Sequence, residues 1–120
     1  MTTTLRSIAM GILFGAAGAV VFGADVESGI KQYQEKQYAE AEKTLRTAVA
    51  EDAEDAQANY FLGLTLLEQK KYAEAETFLL KASEPQPDAR GALAKAYMMQ
   101  DKLDQALRVI KEAEVGSKDP

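Results

Sequence analysis

The chain has 120 residues, of which 47 % are apolar and 28 % charged, the balance of a folded soluble domain. It has no cysteine and no histidine, which excludes disulfides, thiolate metal sites, thiol nucleophiles and the commonest general base. A formal charge of −5 speaks against a phosphate-binding surface, so no nucleic-acid partner is expected.

Residues 1–24 differ from the rest. Arg6 is their one charge, and Ser7 to Ala24 form an unbroken uncharged run. Asp25 and Glu27 follow directly. One cation before an apolar run and acids after it place the N-terminus inside and export the remainder. Two readings compete. A signal peptide could be cut after Gly23-Ala24, although Phe22 sits where a small side chain is preferred. A retained anchor is the other reading, since a helix over 7–24 spans about 27 Å against a hydrocarbon core of about 30 Å. Membrane association would then run through residues 7–24, with Gly11 and Gly15 spaced for close helix approach. Either way the expected location is exported: periplasmic, secreted or membrane-anchored.

Past Ala24 the chain repeats itself. Lys36-Gln37-Tyr38-Ala39-Glu40-Ala41-Glu42 returns as Lys70-Lys71-Tyr72-Ala73-Glu74-Ala75-Glu76. A third, degraded copy is Asp101-Lys102-Leu103-Asp104-Gln105-Ala106-Leu107, at a slightly shorter interval. A period of roughly 34 residues points to stacked helix pairs. Six helices are predicted in order, at about 26–36, 38–51, 55–69, 72–84, 88–100 and 103–114. Connections this short make neighbours antiparallel. Ala41, Leu45 and Ala48 form an apolar stripe, repeated as Ala75, Leu79, Ala82 and again as Ala106, Ile110, Ala113. Alanine at such a contact lets backbones approach, while leucine or isoleucine fills the space. Asp55 and Asp88 are candidate N-caps, and Pro85 and Pro87 break the chain between the fourth and fifth helices. Glu27–Lys31, Glu42–Arg46 and Asp104–Arg108 are expected as i, i+4 ion pairs.

These residues resemble the tetratricopeptide repeat family, whose pattern is W-x2-L-G-x2-Y, then A-x3-F, then P. The middle copy has Asn59, Leu62, Gly63 and Leu66, then Ala75 and Leu79, then Ala82 and Pro87. The third has Arg90, Leu93, Ala94 and Tyr97, then Ala106 and Ile110. The first has Asp25, Ser28, Gly29 and Gln32, then Ala41 and Leu45, and its leading helix departs furthest. The resemblance implies an all-α fold: a right-handed solenoid of three helix hairpins, preceded by the apolar signal or anchor helix. The divisions expected are the leader 1–24, repeats over 25–55, 56–86 and 87–114, and a tail over 115–120.

The resemblance further implies a concave groove lined by the leading helix of each pair, where family members take an extended peptide or a helix. The groove positions that carry over include Tyr33, Tyr60, Leu64, Leu67, Lys95, Met98 and Met99. The competing reading of the apolar ones is packing between helices. Positions where some relatives clamp a peptide carboxylate hold Val26, Ile30, Phe61, Asp88 and Ala92, none a suitable donor. No cofactor is expected. No metal site is expected either, since the acid cluster at Glu51–Asp55 lacks calcium-loop spacing. No nucleophile has a histidine beside it and no phosphate-binding glycine loop occurs, so the expectation is not an enzyme. It is a protein-binding adaptor, or alternatively a structural, membrane-anchored subunit of an envelope complex. Residues 115–120 supply no capping helix, so Leu107, Val109 and Ile110 are expected to stay partly open or to support self-association.

Overall fold

The structure is a computed structural model that describes residues 25–118. The apolar leader, with its expected helix, lies outside the described residues. No helix among the described residues is long and apolar enough to cross a membrane. Those residues form six helices and no strand: α1 (Asp25–Gln34), α2 (Tyr38–Glu51), α3 (Ala56–Glu68), α4 (Tyr72–Ser83), α5 (Asp88–Met98) and α6 (Leu103–Lys118).

Each helix packs on its neighbours in sequence, and α1, α3 and α5 also touch one another in turn. Contact between alternate helices along one side is the signature of hairpins stacked in tandem. Three hairpins result: α1–α2, α3–α4 and α5–α6.

The alanine stripe is the seam inside each hairpin. Ala41, Leu45, Ala75, Leu79 and Ala82 are completely buried, and Ala48 nearly so. Facing them on the leading helices are glycines. A Cβ added at Gly29 would meet Leu45 Cγ at 2.5 Å, and one at Gly63 would meet Leu79 Cγ at the same 2.5 Å. Leucine thus fills the same notch in two successive repeats. The third hairpin departs from this. Ala94 holds the register of the glycines and Ile110 that of the leucines, and Ile110 is 39 % exposed.

The leading helices end alike. Lys36, Lys70 and Asp101 all have φ near 65°. The following residue then donates its N–H back into the last helical turn, as Gln37 to Gln32 O, Lys71 to Leu66 O and Lys102 to Tyr97 O, each at 2.8 Å. This left-handed cap, which usually recruits glycine, stops these helices one or two positions short of the boundaries expected from periodicity. Asp55 caps α3, its side chain accepting from Ala58 N at 3.0 Å. Asp88 does not cap α5: Pro87 holds that position and Asp88 is the first helical residue. At the C-terminus α6 runs on to Lys118, so 115–118 is helix and not the expected tail. Of the three expected ion pairs only Glu42–Arg46 forms among the described residues, at 2.7 Å.

A polar clamp joins successive hairpins. Glu42 on α2 accepts from Gln69 Nε2 at 2.9 Å and Lys71 Nζ at 3.1 Å, both at the far end of α3. Glu76 on α4 accepts in the same way from Gln100 Nε2 at 3.1 Å and Lys102 Nζ at 3.0 Å, at the end of α5. Arg46 ties the first clamp to Glu74 at 2.9 Å and stacks on the Phe78 ring. Burial opposes ionisation of Glu42, but hydrogen bonds from Arg46, Gln69 and Lys71 outweigh it and hold the carboxyl at about 2.

Gly63→Ala gains about 1 kcal/mol of helix propensity but drives a methyl into boxed-in Leu79, a strain of about 1–3 kcal/mol. Thermal unfolding should therefore show a net loss of about 1 kcal/mol, whereas an exposed Gly91→Ala, which meets no atom within 4 Å, should gain stability. For Glu42 the folded pKa is depressed, so its stabilisation is complete above the ordinary carboxylate range and fades as pH falls through about 2. Urea unfolding from pH 6 to pH 2 should lose about 2 kcal/mol more in the wild type than in Glu42→Gln.

Candidate functional site

The candidate face belongs to the leading helices. Their caps and the repeat period put Tyr33 on α1, Tyr60, Leu64 and Leu67 on α3, and Lys95 and Met98 on α5, with Met99 just past its end. Tyr33, Tyr60 and Leu64 are half-buried, and Lys95, Met98 and Met99 are exposed. Leu67 departs from expectation. It is 7 % exposed and belongs to the core, because the next leading helix lies over it. It lines no accessible groove. Met98 holds the same register one repeat later and is 48 % exposed, because no further leading helix follows among the described residues.

The tyrosines do not stand alone. Tyr38, Tyr33, Phe61 and Tyr60 form a chain of rings with centroid separations of 5.8, 5.6 and 5.2 Å. The last two contacts are edge-on, the arrangement that aromatic quadrupoles favour. The Tyr33–Phe61 contact spans the first and second hairpins, so the aromatic surface is also part of what joins them. In the sequence Phe61 stands out only as a carboxylate-clamp position. Its ring role follows from the contact of α1 with α3, which no local pattern shows.

Acids flank the rings. Burial raises the Tyr33 hydroxyl pKa, and the charge of Glu68 raises it further. Burial also raises Tyr60, with Asp88 adding to it. These hydroxyls therefore stay protonated donors at neutral pH. The face offers half-open aromatic and aliphatic carbon, hydroxyl donors, and at its α5 end the Lys95 cation and two flexible methionines. Among the described residues no group of three histidine, cysteine or acidic side chains could hold a metal ion.

A second concavity lies at the C-terminal hairpin. An open cavity of about 340 Å³ separates α5 from α6, lined by Arg90, Gly91, Val109, Ile110, Ala113 and Glu114. Smaller residues account for it. Gly91 occupies the register of Tyr60, and Val109 that of Phe78.

The tetratricopeptide repeat family model matches residues 32–90, from the end of α1 into α5. Over those residues the chain matches the tetratricopeptide repeat family. Solved structures agree on the fold. A MamA fragment from Desulfovibrio magneticus RS-1 is 23 % identical, with TM-score 0.76, over 86 % of this chain and 61 % of that one. MamA labelled MSR-1 is 24 % identical, with TM-score 0.73, over 82 % of this chain and 58 % of that one. MamA labelled AMB-1 is 19 % identical, with TM-score 0.72, over 79 % and 58 %. The chain spans about three-fifths of the length of these structures. No curated protein matches it. Tetratricopeptide repeats are as a rule non-catalytic interaction modules.

Proposed function

We propose that the chain is a non-catalytic adaptor, exported or held at a membrane by residues 1–24, that binds a protein segment on the face of its leading helices. The observation that carries this reading is the row of half-open Tyr33, Tyr60 and Leu64 running toward exposed Lys95, Met98 and Met99. A helix or extended peptide with apolar side chains at regular spacing would cover the rings, and an acidic residue would meet Lys95. Methionine adapts to irregular partners, which suits the α5 end of the face.

A second reading has the chain as a structural subunit of an envelope complex with its N-terminal helix uncut. The observation favouring it is the unbroken uncharged run from Ser7 to Ala24. Intact-mass measurement of the native chain separates the two. A start near Asp25 rules out the tether, and an intact Leu5–Phe22 segment rules out simple secretion.

The binding face is tested by co-purification from the native host with wild type, Tyr60→Ala, Leu64→Asp and Lys95→Glu. Loss of about 1–3 kcal/mol of binding, a fivefold or greater drop in affinity for the partner, is expected for Tyr60→Ala. Circular dichroism should report the same helix content throughout. Equal capture by folded Tyr60→Ala and Lys95→Glu variants would remove the leading-helix face as the site.

A further inference from the structure

Twice inside the molecule a cation is shared by an aromatic ring and a carboxylate. Arg46 lies 5.9 Å from the centroid of the Phe78 ring, 2.7 Å from Glu42 and 2.9 Å from Glu74. Lys102 lies 5.9 Å from the centroid of the Tyr97 ring and 3.0 Å from Glu76. Ring and acid draw the same positive charge, the ring through its electron-rich face and the acid directly.

The leading-helix face holds ring and acid together twice more, with no cation of the described chain between them. Glu68 closes α3 and follows Leu64 at i+4 and Tyr60 at i+8, so it lies on their side of the helix. Burial and then the charge of Glu68 raise the pKa of Tyr33 and of Tyr38, which puts this carboxylate beside both rings. Asp88 opens α5, and after burial its charge is what raises the pKa of Tyr60. Glu68 and Asp88 are exposed, and neither has an ion-pair partner among the described residues. Lys71 and Lys102, just past the leading helices, are already held by Glu42 and Glu76. Lys95 lies two turns along α5 from Asp88, about 10 Å by helix rise, and pairs with neither acid.

We propose that the leading-helix face selects a protein segment carrying two basic side chains, one meeting Tyr33 and Glu68 and the other Tyr60 and Asp88, with apolar side chains between them over Leu64. This rests on that face being the binding site and adds the charge of what binds there. Arginine suits both places, since its flat guanidinium stacks on a ring while bonding a carboxylate. A segment with acids there would meet two carboxylates of like charge, and a wholly apolar one would cover both without a partner. One acid meeting Lys95 is compatible with this, being two turns away from Asp88. The net charge of −5 draws a basic segment in from solution as well.

Fluorescence anisotropy of the full chain in nonionic detergent tests this with three labelled peptides of equal length, in which leucine alternates with arginine, glutamine or glutamate. The arginine peptide should bind, the glutamine peptide about tenfold more weakly, and the glutamate peptide more weakly still. Glu68→Gln and Asp88→Asn should each weaken the arginine peptide about fivefold, and Tyr60→Leu about threefold. Glu112→Gln makes the same change in net charge at an exposed site on α6 and should leave binding unchanged. Helix content by circular dichroism should match in all variants. No binding of the arginine peptide up to about 1 mM, equal binding of the arginine and glutamine peptides, or equal losses in Glu112→Gln and Glu68→Gln would each overturn the proposal. Those results leave the face itself standing, because co-purification with Tyr60→Ala reads the site whatever the charge of the partner.

Discussion

The close approach of paired helices at Gly29–Leu45 and Gly63–Leu79 is the constraint on which the rest of the structure depends. A glycine on the leading helix and alanines on the trailing helix bring two backbones together, and one leucine fills the remaining notch. That contact fixes the pitch of each hairpin. With the pitch fixed twice in the same way, equivalent residues recur in equivalent places. Glu42 and Glu76 then find the same Gln and Lys partners, and Tyr33 reaches Phe61. The third hairpin has Ala94 and Ile110 in those places, Ile110 is 39 % exposed, and a cavity lies beside it where Gly91 and Val109 replace larger residues. Departure from the pattern and departure from close packing coincide.

Much of this is legible in the sequence because it is local and periodic. The six helices, the alanine seam and the break at Pro85 and Pro87 all follow from spacing. Helix ends are less legible. Lys36, Lys70 and Asp101 adopt a left-handed cap that glycine usually marks, so no residue signals the stop. The extension of α6 to Lys118 is masked by Gly116 and Ser117, poor helix formers that read as a tail. The clamps join positions far apart in the chain and show only when the copies are laid over one another.

The candidate face is partly legible. The period assigns its residues to the leading helices, and Phe61 links the rings of Tyr33 and Tyr60. What spacing cannot give is which of them the next hairpin covers. Leu67 and Met98 occupy one register, yet the first is core and the second is surface, because among the described residues a leading helix follows only the first. Burial in a repeat array depends on position along the array as well as on position within the repeat.

Stacking in tandem, as opposed to closure into a bundle, is the claim that most needs direct measurement. A nuclear Overhauser spectrum of the chain tests it through two contacts between neighbouring hairpins. The account predicts cross-peaks between the Tyr33 and Phe61 rings, whose centroids lie 5.6 Å apart, and between the Arg46 side chain and the Phe78 ring. Absence of both, with cross-peaks joining α1 to α6 instead, would contradict it.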